Sequence, residues 1–248
     1  MNVSFQLYSS RNTPKQSDFL SNLAALGYSH VEGFGGVYED PQGFANAMSQ
    51  SGLSMISGHF SVQELENDID SVFKTATILG IKMIIAPYLP EEERPSNATQ
   101  WREFAARLAS IGKQVNAAGY KFGWHNHDFE FVAIETGELP IDILLDNAPD
   151  LMWEADLAWV ARAGKSPLEF LKKYAGRILA VHVKDIAAAG DNVDEDGWAD
   201  VGTGTLDWAK LIHTQRQLAP QALCVMEHDN PSDIERFARV SINNYKAL

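Results

Sequence analysis

Lys121-Phe122-Gly123-Trp124-His125-Asn126-His127-Asp128 is the stretch on which the reading of this chain turns. It follows Ala118-Gly119-Tyr120 and reads as a loop feeding a short buried strand. Successive side chains of a strand alternate faces, so His125 and His127 point one way and Asn126 the other. Two imidazoles at a strand end are costly as mere filling, because each carries a donor and an acceptor to satisfy. Three later strand-like stretches also end in polar residues: Trp153-Glu154-Ala155-Asp156, Ala180-Val181-His182-Val183-Lys184 and Val225-Met226-Glu227-His228-Asp229. Four such ends imply one shared site.

Working outward, apolar periodicity gives strands over 3–8, 30–32, 53–59 and 82–86 before the His125 strand, and strands ending at Asp156, Val183 and Glu227 after it. Between them, Phe19, Leu20, Leu23 and Leu26 share a helical face, as do Leu65, Ile69, Val72, Phe73, Ala76 and Leu79. Trp101, Phe104, Ala105, Leu108, Ile111 and Val115 make another such face. Further helices are expected over 41–51, from Pro140, from Pro167 and over 206–215. Asn230-Pro231 reads as cap and first turn of the last one. Strand and helix thus alternate eight times with no run of two strands, the pattern of parallel βαβ units. Eight units in 248 residues match a single closed (β/α)8 TIM barrel over 1–248. An open doubly wound sheet is the alternative, but it calls for a glycine fingerprint after the first strand, and Tyr8-Ser9-Ser10-Arg11 has none.

The chain is 45% hydrophobic and carries a net charge of −13. That balance repels nucleic acid and anionic membranes at long range, so neither is expected as a partner. Cys224 is the only cysteine, which rules out an internal disulfide; it lies in an apolar run and reads as core packing. Neither a signal sequence beginning at Met1-Asn2-Val3 nor an apolar stretch of membrane-spanning length is visible, so a cytoplasmic protein is expected. Assembly into a homo-oligomer is compatible with all of this.

In parallel barrels the chemistry gathers at the carboxyl ends of the strands. That rim here holds Glu32, His59, His125, His127, Glu154, Asp156, His182, Lys184, Glu227 and Asp229. Imidazoles with carboxylates suit one divalent metal ion (Mn, Co, Zn or Mg). Without a cation, several carboxylates in one pocket would raise one another's pKa.

His125-Asn126-His127-Asp128-Phe129-Glu130-Phe131, Glu154-Ala155-Asp156-Leu157-Ala158-Trp159, His182-Val183-Lys184-Asp185 and Glu227-His228-Asp229, in this order and spacing, resemble the xylose isomerase-like barrels of the sugar phosphate isomerase/epimerase family. The resemblance implies one divalent metal held by a residue from each of strands five to eight, usually Glu, Asp, His and Glu. The matching positions are His125, Asp156, His182 and Glu227, so His125 stands where that family usually has glutamate. In isomerases and epimerases of the family that glutamate also helps to move the proton. Its replacement opens the way to another task on a sugar or keto-sugar, a dehydration, hydration or β-elimination, with Glu227, Lys184 or His127 as acid/base groups.

Each residue also has a plainer reading. Asp156, His182 and Glu227 would otherwise be an internal hydrogen-bond network, and His125 would ligate or only touch substrate. Glu154, one layer deeper on the face of Asp156, reads as a paired interior carboxylate. Glu32 and His59 are expected to contact sugar or to be structural, and Lys184 to aim an ammonium into the pocket. Loop 186–205, longer than most such connections, suits a lid. Its Trp198 either stacks on a sugar or pins the loop, and its acidic run is expected to be a solvated face that disfavours a phosphorylated substrate. The remaining alternatives are a metal-free sugar-binding or partner-binding barrel without turnover, and a metal-dependent DNA-repair nuclease, which the charge disfavours.

Overall fold

The computed structural model describes residues 3–13 and 16–248; Met1 and Asn2, at the start of the stretch inspected for a signal sequence, lie outside it. Its strands are β1 (Val3–Gln6), β2 (His30–Gly33), β3 (Ser54–His59), β4 (Met83–Ala86), β5 (Lys121–His125), β6 (Met152–Asp156), β7 (Ile178–Val183), β8 (Asp185–Ile186), β9 (Trp198–Ala199) and β10 (Leu223–Met226). Its helices are α1 (Gln16–Leu26), α2 (Pro41–Ser51), α3 (Val62–Asn67), α4 (Ile69–Leu79), α5 (Ala98–Ala117), α6 (Pro140–Asn147), α7 (Leu157–Arg162), α8 (Pro167–Lys173), α9 (Trp208–Leu218) and α10 (Ile234–Lys246).

β1 to β7 and β10 close into one parallel barrel, with β10 lying between β7 and β1. The closed (β/α)8 fold expected from the alternation is therefore the fold observed. Alternation along each strand divides the side chains into two populations. Outward residues such as Phe5, Val31, Met55, Trp124, Trp153, Val181 and Met226 join the helices in the main apolar core. Ala180, Leu223 and Val225 pack with Ile56 and Met83 in a second, small apolar cluster. Gln6, Glu32, Glu154 and His182 come from the same strands and are likewise buried.

Local chemistry explains most element ends. Asp40 caps α2 by accepting from Gly43 N, and Gly52 ends it at φ 74°. Ser61 and Glu64 form a reciprocal capping box that starts α3, and Gly80 ends α4 at φ 81°. These left-handed positions cost glycine nothing sterically.

Several expectations need correction. The first strand stops at Gln6, and Leu7–Ser10 forms a 3-10 turn instead. The single helix read over 65–79 is two, because Asp68 turns out of helical geometry and caps α4 by accepting from Ser71 N. A helix directly after β6, α7, was not anticipated; the Asp156 side chain caps it by accepting from Trp159 N. The last helix starts at Ile234 with Asp233 as its cap, not at Asn230-Pro231. Asn230 is occupied elsewhere, with its side chain donating to Asp194 O. β8 and β9 form a small antiparallel hairpin within the long loop, so two strands do follow β7 in succession. Among the described residues no helix is long and apolar enough to cross a membrane.

Phe5 joins the barrel wall to its helical jacket. Its ring meets Phe19, Tyr28 and Phe237 at centroid distances of 5.5, 5.4 and 5.6 Å. Phe5→Ala leaves a cavity among three rings and is expected to cost about 3–5 kcal/mol, measured as the loss of unfolding free energy in denaturant titration.

Candidate functional site

Register brings the polar strand ends together. His125 pairs with Glu154 across β5 and β6, and Asp156 with His182 across β6 and β7. Glu227 follows β10, where Val225 lies beside His182. Neighbouring strands run about 4.8 Å apart, so residues nearly sixty or a hundred positions apart in sequence become neighbours. Single ligating atoms of His125, Asp156, His182 and Glu227 lie within 4.8 Å of one another, and so do those of His59, His125, Glu154 and His182. The four positions named for a metal thus form one group. A second group beneath it shares two of its histidines.

The deeper group is tightly bonded. His59 Nε2 lies 2.7 Å from Glu154 Oε2 and 3.2 Å from Glu32 Oε1. His182 Nε2 lies 2.7 Å from Glu32 Oε1 and 3.2 Å from Glu154 Oε2. Gln6 Nε2 donates to Glu32 Oε1 at 2.8 Å. Burial alone would raise the carboxyl pKa of Glu32, but the facing imidazoles of His59 and His182 hold it well below the usual range. Reciprocally, burial depresses His59, yet Glu32 and Glu154 carry it up to about 10. Glu32 and His59, expected to contact sugar or to be structural, differ in access: His59 borders the cavity above, whereas Glu32 has no exposed surface. Glu154 occupies the deeper, paired position expected of it.

His125 and Glu227 of the upper group line a cavity of about 710 Å3, bordered also by Tyr8, Phe34, Tyr88, His127 and Asp229. His182 Nδ1 lies 2.9 Å from Glu227 Oε2. Lys184 Nζ lies 2.6 Å from Asp229 Oδ1, 3.3 Å from Glu227 Oε2 and 3.7 Å from Asp156 Oδ2. Burial opposes the charge on Lys184, but Asp229, Glu227 and Asp156 together raise its pKa, so it stays an ammonium. Burial pushes the Asp156 carboxyl up to about 7 against the pull of Lys184. It lowers His127 to about 3, with Lys184 adding to the effect, so His127 is a neutral imidazole. A wider groove of about 890 Å3 is lined among others by Arg11, Asp18, Glu39 and Asp40, but its three acids are exposed to solvent. Buried titratable groups border the smaller cavity.

The donor set fits a divalent cation. Asp156 Oδ2 is buried with no hydrogen-bond partner among the described residues, and His125 Nδ1 has Glu154 Oε2 beside it at 3.3 Å. Two imidazoles and two carboxylates meeting at one place form a transition-metal donor set.

Three residues to which the sequence assigns no role support the site. Asn126, turned away from the cavity as alternation demands, accepts from Trp153 Nε1 at 2.8 Å and Asp156 N at 3.0 Å, which fixes the end of β6. Asp185 accepts from the backbone N–H groups of Ile186, Gly202, Gly204 and Leu206 and so organises the long loop. Glu130 accepts from Trp124 Nε1 and His127 N, both at 2.9 Å. A carboxyl buried five residues past a histidine strand end has no periodic signal in one sequence. Trp198 is buried; its ring lies under the Arg162 guanidinium at 3.4 Å and against Trp159 at 4.7 Å, which pins the loop. The acidic run is not uniformly solvated either. Glu195 and Asp200 are buried against the Arg236 guanidinium, whereas Asp191 and Asp194 are exposed.

A closed parallel barrel with helices outside and a polar, cavity-facing rim is the (β/α)8 architecture. The chain belongs to the xylose isomerase-like TIM barrel family, whose model matches residues 20–247. Among curated proteins it is similar to an inosose dehydratase of Clostridium perfringens, 33% identical over 94 residues. That match covers 36% of this chain and 30% of the relative, so well under two thirds of the relative is spanned. Among solved structures it resembles a sugar phosphate isomerase/epimerase from Parabacteroides distasonis, with a TM-score of 0.82 at 18% identity over 99% of this chain and 93% of that one. It also resembles the IolI protein with a bound zinc atom, with a TM-score of 0.76 at 14% identity over 100% and 96%.

Glu130 yields a pH prediction. Burial raises its pKa from 4.5 to about 8. A carboxyl raised in the folded state contributes stability in full below its unfolded pKa, and that contribution is lost as pH rises through the folded value. Thermal melts of wild type and Glu130→Gln should therefore diverge between about pH 5 and about pH 8.5, the wild type losing more stability because the amide does not ionise. Parallel pH profiles would show that Glu130 is already charged at acidic pH.

Proposed function

We propose that this protein is a metal-dependent enzyme that removes water from a keto-sugar or related cyclic ketose. The observation that carries the reading is the convergence of His125, Asp156, His182 and Glu227 beside a cavity at the carboxyl ends of the barrel strands. Those four residues would hold one divalent ion, of which Mn, Co, Zn or Mg is compatible with the donors. Bound there, the ion supplies Lewis-acid polarisation of a substrate carbonyl or hydroxyl. The similarity to an inosose dehydratase and the zinc atom bound to the IolI protein are in keeping with this.

The chain's own residues take the remaining roles. Proton loss next to the carbonyl breaks a C–H bond and sends its electron pair toward the carbonyl oxygen. Lys184, a fixed ammonium among three carboxylates, would donate a hydrogen bond to that developing oxyanion. Expulsion of the β-hydroxyl with a returned proton then releases water and leaves an unsaturated ketone, with no oxidant or reductant required. His127, a neutral imidazole at the cavity with Nδ1 unpartnered among the described residues, would move a proton at the substrate hydroxyl. Glu227 is the second acid/base group. Histidine at position 125 favours elimination over two-base epimerisation, because it replaces the carboxylate that an epimerase would use. Trp198 would act only through the loop it anchors, whereas His59 would meet the sugar.

A metal-free sugar-binding barrel is the second reading. It is favoured by Lys184 itself, whose ammonium already offsets the charge of Asp156, Glu227 and Asp229.

Incubating the metal-loaded protein with a panel of ketoses and keto-cyclitols in D2O, followed by NMR, separates the readings. Deuterium exchange next to the carbonyl with appearance of an alkene signal is expected, and chelation should abolish both. Asp156→Ala and Glu227→Ala should each lose the metal and reduce turnover by at least about 1,000-fold. Sugar binding by calorimetry, with no exchange even after metal addition, would establish the second reading instead.

A further inference from the structure

Glu32 and Glu154, the two carboxylates of the deeper group, have no part in the chemistry just described, yet both are fully buried inside the barrel. Glu32 comes from β2, His59 from β3, Glu154 from β6 and His182 from β7. We infer that Glu32, supported by Gln6 and by the His59–Glu154 pair, is a positioning residue that fixes the tautomer and ring orientation of His182, so that the Nδ1 lone pair of His182 is offered to a divalent cation. This rests on the reading of His125, Asp156, His182 and Glu227 as the cation's holders.

The protons on His182 follow from its partners. A neutral imidazole has one N–H and one lone pair. Nε2 of His182 lies 2.7 Å from Glu32 Oε1, a charge-assisted hydrogen-bond distance, and a carboxylate can only accept there. Nε2 therefore carries a proton. Nδ1, 2.9 Å from Glu227 Oε2, also lies at hydrogen-bond distance from a carboxylate, so without a cation it too holds a proton, shared with Glu227. A divalent cation between Nδ1 and Glu227 displaces that proton and takes the lone pair it leaves, while Glu32 keeps the proton of Nε2 in place. The arrangement is a carboxylate–imidazole–cation chain, in which the outer carboxylate sets which nitrogen binds.

Neighbouring contacts hold Glu32 in that task. Gln6 Nε2 donates to the same Oε1 at 2.8 Å, while Gln6 Oε1 accepts from Tyr8 N at 3.0 Å, which fixes the amide orientation. The His59 ring lies parallel to His182, with centroids 5.7 Å apart and planes 9° apart. His59 donates to Glu154 at 2.7 Å, so the two imidazole N–H groups and two carboxylates form a closed ring of alternating donors and acceptors. The second oxygens, Glu32 Oε2 and Glu154 Oε1, have no hydrogen-bond partner among the described residues. A second cation seated among the deeper side chains would use them, and the experiment has to distinguish that arrangement.

Co2+ is the probe, because its visible absorption reports ligand geometry independently of turnover. Metal-free wild type, Glu32→Gln and Gln6→Met are titrated with Co2+ against a competing chelator. Glutamine keeps the size of Glu32 but can turn its NH2 toward His182, which allows the proton to move to Nδ1. Wild type should bind one Co2+ per chain. Glu32→Gln should bind it about 10–100-fold more weakly, with a changed visible spectrum. Gln6→Met, which leaves the carboxylate in place and keeps the inference testable should Glu32→Gln fail to fold, should show a smaller loss in the same direction.

Unchanged affinity and spectrum in both variants would overturn the inference while leaving the proposed function standing. Two Co2+ per wild-type chain, falling to one in Glu32→Gln, would make the deeper group a metal site and overturn it differently. No Co2+ bound by wild type would remove the proposed function, and this inference with it.

Discussion

Charge compensation inside a closed barrel is the constraint on which the rest of this structure depends. Eight parallel strands leave no edge through which water can enter laterally, so every ionisable group they turn inward must be met by another side chain. Glu32, Glu154, Asp156 and Glu227 are buried with His59, His125, His182 and Lys184. Acid alternates with base in two layers. Below, imidazoles lie within 3.2 Å of both Glu32 and Glu154; above, the Lys184 ammonium sits among Asp156, Glu227 and Asp229. Removing one member would leave its partner as an uncompensated buried charge, a larger penalty than the pair's own net contribution.

The connections after the strands are subordinate to that centre. Asp185, directly after Lys184, gathers four backbone N–H groups of the following loop, and Arg236 of α10 clamps Glu195 and Asp200 from the same loop. A segment of twenty residues with four glycines would otherwise be entropically expensive to hold. Here the loop is held by one carboxylate at its start and by two guanidinium groups from outside it, Arg236 and Arg162. Arg162 packs on the Trp198 ring, which also lies over the Lys184 ammonium at 4.2 Å, so loop order and site electrostatics are coupled.

Position 125 is where the chain departs from the ligand set that the resemblance in its motifs implies. A carboxylate there would add a fourth negative group to Asp156, Glu227 and Asp229 around one lysine. Histidine instead brings a neutral donor, kept uncharged by burial and by the facing His182. The site is thereby less anionic, and a hard proton-transfer base is exchanged for a softer ligand. The proposed elimination needs one base and one departing hydroxyl, for which Glu227 and His127 would serve.

The architecture was legible along the chain because period-2 and period-3.6 patterns are local. Eight alternations of strand and helix can be counted without knowing which strands touch. The polar strand ends His125, Asp156, His182 and Glu227 were legible for the same reason: each interrupts an apolar run at its carboxyl end. Finer boundaries were lost where side chains override periodicity, as when Asp68 breaks one apolar face into two helices. What only the tertiary structure decided is which groups meet. Barrel closure places Glu32 against His182 across 150 residues, and register sets Asn126 behind Asp156. A hydrogen bond between distant strands leaves no trace in either strand's own sequence, because its geometry is fixed by the packing of all the others.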